Sequence, residues 1–571
     1  MSCADTDVRP ATLLAESAAL VAAWARLALP HYGAAGSMDA DLADNPEAQG
    51  PSYYNQFAHW PMLLLSEGVL PGLGDPAERE RFRQCALRNI EYMLEITGED
   101  FCTPHYSKGR DWGRHVGEWS NYFLLRSLIV LESHHVGTPD LRARLSRSIR
   151  GATARIHDLF ARTYGDPNRP ATGFPGNHAV WHALLCHEAG LHFGEKAWTT
   201  FAQDFFRRHV LPFQDSTGCW PEGGGIVVNY AMVSAQAVAL YAESSSDPAA
   251  LAAVGRFLAF QQVFSFPDGS SPVAADCRQR YSRRPMIFLP PSFLRSPQGR
   301  QDALRRIRGF AAQLATAPIR ALGVQGLAFF SLFPEFMARR AASLPVGLPE
   351  GAVSGIPVAR LQAGPWTAFL SWQLTEEHPS RFILDAQNFI ELRHDQSGYL
   401  IGGGNSKYMP RFSTLRCRTS GRAYIPSTAA VVRQEGREAV ASYGFGADRI
   451  DVRVTVGETA VEIGFRMAHQ EQPADAYEGA VTLAFAAGEV VRLDDDEVTV
   501  LPAAQIDRRF GASGGRLVWR GRTFHVPAGG WLCYPLVPHN PYRQDGLPPV
   551  EEYVARLALP LAGTEHVIRI S

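Results

Sequence analysis

The period of the hydrophobic pattern changes once along this chain of 571 residues. From residue 10 to about 343, apolar side chains recur at helical spacing, as in the stripe of Leu141, Leu145 and Ile149. Beyond that region they alternate with polar residues at a period of two, most clearly in 450–456. Because helices and strands bury different faces of the chain, one such switch predicts a helical domain followed by a separate β domain.

The helical half predicts about ten helices in succession, without strands between them. Long loops rich in aromatic residues, His and Gly separate the helices, and such loops on a rigid scaffold commonly carry function. No fixed repeat is visible, so stacked helical hairpins are favoured over a regular solenoid. Besides helices around 13–27, 82–93 and 141–159, the pattern predicts helices at 118–135, 178–192, 195–210, 229–243, 247–263, 298–315 and 328–342.

The β half predicts a large antiparallel β-sandwich. Residues 450–456 and 461–467 alternate in polarity around a Gly457-Glu458 turn, which is the pattern of a hairpin with one solvent-exposed face. The Pro- and Gly-rich stretch 344–355 is the expected linker, so the predicted domains are a helical domain over 1–343 and a sandwich over 356–571. Further strand-like runs occupy 367–374, 389–392, 481–485 and 517–526.

The overall charge excludes some classes of partner. A formal net charge of -2 gives the chain no general attraction for nucleic acid or an anionic membrane. The eight cysteines are scattered without a CxxC pair, which favours reduced thiols. Asp5 and Asp7 stand where a signal peptide would be basic, and no uninterrupted apolar window of about 18 residues exists. We therefore expect a cytoplasmic protein without a membrane span; the sequence does not indicate its oligomeric state.

Asn177 and His178 begin one predicted helix. They follow Gly176, in a loop that cannot continue a helix, and precede an apolar run. Unpaired backbone N–H groups and the positive end of the helix dipole favour a bound carboxylate at such a position. The alternative interpretation is that Asn177 merely caps the helix, which is the commonest role of Asn there.

Glu222 and Tyr230 belong to a second helix start. Glu222 lies in a tight turn, and Tyr230 opens the predicted helix that follows, where its phenol could face a cleft. A lone Tyr at this position is more often a surface residue with a hydrogen-bonded hydroxyl. An amide, an imidazole and a phenol on two helix starts can together bind a sugar carboxylate and move a proton.

The segment 109–122 mixes aromatic and cationic side chains. Flat rings stack on sugars, while Arg forks bind carboxylates through two hydrogen bonds. The alternative is a buried loop anchored by its tryptophans. A second cationic cluster surrounds Arg280, where a solvated basic loop is equally compatible with the sequence. The candidate substrate-binding residues are thus Trp112, Arg114, His115, Trp119, Tyr122, Glu222 and Arg280.

No motif predicts a cofactor. His178 and His182 share a helix face, as zinc ligands do, but 187–192 has one residue too many for the HExxH motif. The glycines at 223–225 and 402–404 lack the Lys-Ser or Lys-Thr of a phosphate-binding loop, and no GxSxG occurs. A structural metal in the sandwich has no ligand pattern to support it.

The stretch from Asn177 to Tyr230 resembles the heparinase II/III-like and related alginate lyases. In that family an Asn, often followed by His, precedes a catalytic Tyr by a little over fifty residues; here the separation is 230 minus 177, or 53. The family's Glu-Gly before the Tyr is similar to Glu222-Gly223. The resemblance implies an incomplete α/α toroid followed by an antiparallel β-sandwich, in the order predicted above.

The family also places a catalytic His in the sandwich. The similar stretch of this chain is 384–389, where that His is missing. His394 or His378 could take its place from nearby, and we take His394 as the candidate catalytic histidine.

The resemblance implies a lyase that cleaves a uronate-containing glycan by β-elimination. Asn177, with a protonated Glu222 or an Arg, would stabilise the anion formed when C5 loses its proton. Tyr230 would abstract that proton or protonate the leaving oxygen, and His178 would be the opposite base for the other epimer. A Tyr base needs a cationic neighbour, because the ordinary pKa of Tyr is near 10. Candidates for that neighbour are Arg114, His115 and the cluster around Arg280.

Two alternatives remain open at this point. A toroid glycoside hydrolase would use two carboxylates, for which Asp111, Glu118 and Glu222 are available. A non-catalytic glycan-binding protein of the same architecture would explain the missing sandwich His. The lyase hypothesis predicts an acidic glycan as the partner. Each of the two alternatives predicts a glycan.

Overall fold

The computed structural model of the protein describes residues 8–38, 55–107, 110–166, 171–222, 225–278, 287–315, 324–340, 344, 347–375, 378–402, 404–419, 424–471, 476–502, 505–541, 543, 545–562 and 565–571. The chain forms two compact units. The first, the helical unit, comprises Met1–Glu222, Asn229–Gln262 and Arg284–Ser354. The second, the sandwich unit, comprises Gly223–Val228, Val263–Arg283 and Gly355–Ser571.

The helical unit confirms the predicted helical domain. Its described residues contain eleven α-helices, most of them within a few residues of their predicted bounds. They are α1 (Pro10–Ala28), α2 (His59–Ser66), α3 (Pro76–Ile96), α4 (Glu118–Ser133), α5 (Pro139–Tyr164), α6 (Asn177–Phe193), α7 (Lys196–Phe205), α8 (Val228–Ser245), α9 (Pro248–Val263), α10 (Pro297–Leu314) and α11 (Val324–Arg340).

Four of these helices begin with the same capping arrangement. A polar residue accepts a hydrogen bond from the first turn, and proline occupies the first helical position, where no backbone N–H is needed. The capping residues are Asp75 of α3, Thr138 of α5, Asp247 of α9 and Ser296 of α10.

Helices α4 and α6 run parallel. Near their N-termini the rings of Tyr122 and Trp181 lie 5.1 Å apart, centroid to centroid. Further along both helices Arg126 Nη1 lies 3.7 Å from Glu188 Oε2. Residues that come later in α4 thus contact residues that come later in α6. The two helices therefore point in the same direction, and their N-terminal ends lie on the same side of the unit.

Helix α8 shares that direction. The indole nitrogen of Trp181 donates to the carbonyl of Val233 at 3.1 Å, and the rings of His187 and Tyr241 lie 5.0 Å apart. The first contact is near the start of both helices and the second near their ends. The N-termini of α4, α6 and α8 therefore gather at one end, where their dipoles present partial positive charge.

Two elements of the helical unit were not predicted. Helix α2 lies between the helices predicted around 13–27 and 82–93, and all eight of its residues are buried, so it lacks the one-sided pattern that marks a helix. The expectation of no strands was also wrong. Thr103–Ser107 (β1) and Arg110–His115 (β2) form an antiparallel hairpin, whose short polar strands carry little hydrophobic signal.

The sandwich unit contains two large antiparallel sheets, as predicted. One has the strand order β14-β13-β16-β17-β20-β11-β10-β9-β8, and the other β15-β18-β19-β12-β6-β5-β4-β3, with β7 also paired to β12. The strands are β3 (Val358–Ala363), β4 (Trp366–Ser371), β5 (Ile390–His394), β6 (Gly398–Ile401), β7 (Leu415–Cys417), β8 (Thr428–Glu435), β9 (Glu438–Phe445), β10 (Asp448–Val456), β11 (Val461–His469), β12 (Tyr477–Leu483), β13 (Val490–Leu493), β14 (Asp496–Thr499), β15 (Ile506–Arg509), β16 (Gly515–Trp519), β17 (Arg522–Val526), β18 (Trp531–Leu536), β19 (Val554–Pro560) and β20 (His566–Ile570).

The predicted hairpin at 450–467 is confirmed as β10 and β11. Val456 pairs with Val461 across the turn, and the alternate residues of β10 are buried. The two sheets face each other, since the Tyr443 hydroxyl donates to the Ser371 carbonyl. The predicted run 517–526 is a second hairpin, β16 and β17, because its strands pair with each other.

One helix among the described residues could cross a membrane by length and composition, Pro10–His31. Half of it is buried inside the protein, and core helices pass the same test. Trp24 of this helix packs on Phe310 of α10, with ring centroids 6.4 Å apart. No disulfide joins any two of the seven described cysteines; Cys3 lies outside the described residues.

Candidate active site

The start of α6 has an uncommon geometry. Gly176 precedes the helix with φ of 88° and ψ of 160°, a conformation that is essentially restricted to glycine. It has no side chain to cap the helix, and the first intrahelical bond runs from Val180 N to Gly176 O at 3.3 Å. Asn177 is therefore the first helical residue, and the interpretation of Asn177 as an ordinary cap is wrong. The N–H groups of residues 177–179 precede the first intrahelical bond.

The amide of Asn177 is buried, with 1% of the residue exposed. Its Nδ2 donates to Glu222 Oε2 at 2.9 Å, a bond across 45 residues of chain. Its Oδ1 is buried without a hydrogen-bond partner. Because buried polar atoms are nearly always paired, an orphaned acceptor beside several donors is suited to a ligand that both donates and accepts, as a sugar acid does.

His178 and His182 share one buried carboxylate. Glu118, the first residue of α4, contacts His178 Nδ1 through Oε1 at 2.5 Å. Its Oε2 lies 3.5 Å from His182 Nε2, one turn further along α6. Glu118 is buried, whereas 54% of the His178 side chain is exposed. The arrangement places an imidazole at the surface with a carboxylate behind it.

The charge of Glu118 is maintained by these histidines. Burial raises the pKa of its carboxyl, but His178 and His182 outweigh burial and hold that pKa at about 2, below the ordinary 4.5. Burial lowers the pKa of His182, with Glu118 opposing the shift. At neutral pH the site therefore contains an ionised carboxylate between the two histidines.

Trp119 lies beneath His178 rather than in the open site. The two rings are 4.9 Å apart, and only 6% of Trp119 is exposed. Tyr122, one turn deeper on α4, is fully buried, and burial raises the pKa of its hydroxyl. The apolar packing between α4 and α6 encloses both rings, and the assignment of Trp119 and Tyr122 to substrate binding stays a prediction.

The β1–β2 hairpin precedes α4 and carries the other predicted binding residues. Trp112 is 48% exposed. His115 packs on His105 with ring centroids 4.1 Å apart, and burial lowers the pKa of His115. Arg114 Nη2 donates to the Cys102 carbonyl at 2.5 Å, so one nitrogen of its guanidinium group is already hydrogen-bonded within the protein.

Tyr230 is the third residue of α8 and is partly exposed. Trp181 follows Asn177 by one turn, Val233 follows Tyr230 by three residues, and the two are hydrogen-bonded. Since α6 and α8 run parallel, Asn177 and Tyr230 lie at the same end of neighbouring helices. The structure thus brings the two predicted helix starts to one side of the helical unit.

Arg280 and His394 are the remaining predicted residues. Arg280 is outside the described residues. His394 ends β5 in the sandwich unit, where it is buried against Trp366 and its Nδ1 accepts from the backbone of Gln396 at 3.2 Å. Through these contacts His394 stabilises the turn between β5 and β6. His378 is exposed, and its Nδ1 accepts from the backbone N–H of Ser380.

Sequence reasoning missed the role of Glu118 as the partner of His178. It considered Glu118 only as an acid for hydrolysis. A signal was available, because α4 begins with Gly117-Glu118 and α6 with Gly176-Asn177, in each case a glycine followed by a buried polar residue. Two uncapped helix starts of this kind indicate a shared polar site. No group of three or more metal-ligating side chains occurs among the described residues.

The fold defines a class of proteins with an α/α toroid followed by an antiparallel β-sandwich. No family model and no curated protein matches the sequence. The structure is similar to that of a xanthan lyase from Paenibacillus, with a TM-score of 0.52 and 10% identity over 98% of this chain. The alignment covers 57% of the xanthan lyase, so this chain spans little more than half of its length.

Two further lyase structures align with lower TM-scores. A chondroitin AC lyase from Streptomyces coelicolor has a TM-score of 0.44 and 14% identity over 97% of this chain and 79% of its own. A heparinase III has a TM-score of 0.46 and 11% identity over 96% of this chain and 83% of its own. At 10% identity the similarity to the xanthan lyase establishes the fold alone.

Proposed function

We propose that the protein is a lyase that cleaves a uronate-containing polysaccharide or oligosaccharide by β-elimination. The observation that carries this proposal is the start of α6, where a buried amide with an orphaned oxygen adjoins a half-exposed imidazole. The position of Tyr230 at the same end of the adjacent helix supports it. The fold shared with a xanthan lyase supports it independently.

The substrate carboxylate would bind at the N-terminus of α6. The first-turn N–H groups and the second N–H of the Asn177 amide are donors, and the helix dipole favours negative charge there. Glu222 would orient the amide by accepting its other N–H. Neutralising the carboxylate makes the C5 proton removable, because the electron pair left at C5 spreads into the carboxyl group as an enolate.

Tyr230 and His178 would then move the protons. One removes the C5 proton; the C4–O bond breaks as the C4–C5 double bond forms, and an acid protonates the departing oxygen. Tyr230 is proposed for both steps when proton and leaving group share a face. His178 is proposed as the base when the other epimer presents its proton from the opposite side.

The hydrolase alternative is weakened by the state of Glu118. Retaining and inverting hydrolases need one carboxyl group that is protonated and able to reach the glycosidic oxygen. Glu118 is buried, and its pKa of about 2 keeps it ionised. Asp111 lies on the exposed hairpin, where its Oδ1 accepts from the backbone of Gly113 at 2.8 Å.

A panel of acidic glycans tests the proposal. Elimination creates a 4,5-unsaturated uronate whose ultraviolet absorbance rises as bonds are cut, and mass spectrometry shows no uptake of water. The Tyr230→Phe variant should lose about a hundredfold or more of the rate, because it removes the proton-transfer group and keeps the ring. Tyr106→Phe, on the β1–β2 hairpin, is the control and should retain activity. Hydrolysis products without the unsaturated end would refute the proposal.

A further inference from the structure

We propose that Glu118 is a positioning residue that holds His178 in one tautomer, with the proton on Nδ1 and the lone pair on Nε2. The inference rests on the proposed function, because it names what prepares His178 to act as a base. Glu118 itself touches no substrate, since it is buried beneath the imidazole.

The geometry defines the tautomer. A carboxylate accepts hydrogen bonds and donates none, so the contact of Glu118 Oε1 with Nδ1 at 2.5 Å requires a proton on that nitrogen. The neutral ring then has its basic lone pair on Nε2. The half exposure of the side chain makes the ring reachable by a ligand bound at the start of α6.

The surroundings keep the carboxylate charged and the ring in place. The titratable groups that act on Glu118 are His178 and His182 from α6, while His115 at the end of β2 is in turn affected by Glu118. Burial lowers the pKa of both His182 and His115, and Glu118 opposes each of these shifts. The ring of Trp119 supports one face of the imidazole at 4.9 Å.

A purely structural role for Glu118 makes different predictions. Glu118 joins α4 to α6, and Glu188 joins the same two helices through Arg126 at 3.7 Å, away from the site. If Glu118 only held the helices together, Glu118→Gln and Glu188→Gln should have similar consequences for catalysis. If it positions His178, only Glu118→Gln should alter proton transfer.

The kinetic test compares these two variants on a glycan that the wild-type protein cleaves. Glu118→Gln should lower kcat by about a hundredfold or more with little change in KM, since loss of the tautomer removes the base and not the binding groups. The acid limb of its pH–rate profile should move to lower pH, because the imidazolium loses its counter-charge. Glu188→Gln should leave kcat and the profile unchanged. Equal effects of both variants would overturn the inference.

A second test needs no substrate. Nuclear magnetic resonance of protein labelled with ¹⁵N-histidine reports the protonation of each ring nitrogen, with His178 assigned from the spectrum of His178→Gln. Wild-type protein should show a proton on Nδ1, and Glu118→Gln should show a mixture of tautomers that titrates at lower pH. An unchanged His178 signal in Glu118→Gln would refute the inference even in an active lyase. Failure of the whole glycan panel with the expected spectra would instead refute the proposed function.

Discussion

Acid should destabilise the helical unit through Glu118, and the variant Glu118→Gln should remove this effect. The folded state holds the pKa of this carboxyl at about 2, below the ordinary 4.5, because two histidines outweigh its burial. A depressed pKa means that the ionised form stabilises the fold. Its contribution is complete above pH 4.5 and is lost as the pH falls from there through about 2.

The size of the effect follows from the shift. Each pKa unit corresponds to about 1.4 kcal/mol, so the ionised carboxyl contributes about 3 kcal/mol at pH 7 and about 1 kcal/mol at pH 3. Gln resembles the protonated acid in shape and cannot ionise. We therefore expect wild-type protein to exceed Glu118→Gln in stability by about 3 kcal/mol at neutral pH, and the difference to shrink in acid.

Calorimetric melting of both proteins between pH 7 and pH 3 measures this difference in the transition of the helical unit. Glu91→Gln, an exposed carboxyl on α3, is the control and should melt like the wild type throughout. A stability difference that stays constant from pH 7 to pH 3 would refute the reasoning, because it would mean that Glu118 contributes through shape rather than charge.

Three further predictions concern other groups. Asn177→Ala should lower kcat/KM by about a hundredfold to a thousandfold in initial-rate assays, since it removes an amide donor from the developing anion; a fully active variant would contradict this. Trp112→Ala should raise KM for long glycans with kcat and melting temperature unchanged, whereas an unaltered KM would exclude a stacking role. Burial raises the pKa of Glu391 to about 8, so wild-type stability of the sandwich unit should fall as the pH rises from 4.5 through 8. Glu391→Gln should abolish that fall and be about 3 kcal/mol more stable at pH 7 in thermal melts, and parallel pH profiles of the two proteins would refute it.

The boundaries of many elements were predictable because periodicity is a local property. The helix predicted at 178–192 is α6, Asn177–Phe193, and the hairpin at 450–467 is β10 and β11. In both, one face of the element is buried more than the other, and this asymmetry is recorded in neighbouring residues. Helix α2 escaped prediction because burial on every side removes the asymmetry.

Membership in the two units was not predictable from local pattern. The segment Val263–Arg283 follows α9 along the chain and belongs to the sandwich unit. Glu391 accepts from Val273 N at 2.9 Å, and the Asn405 amide donates to the carbonyls of Val273 and Asp276 at 3.1 and 3.0 Å. These partners are more than a hundred residues away, so no local pattern records them.

The sequence by itself determined the two kinds of domain, their order, and the polar helix starts at Asn177 and Tyr230. Only the tertiary structure decided how these groups are used. Glu118 reaches His178 across 60 residues of chain, and Glu222 reaches Asn177 across 45. Such pairings arise when parallel helices bring their N-termini together, and helix packing depends on the whole set of buried faces rather than on any one segment.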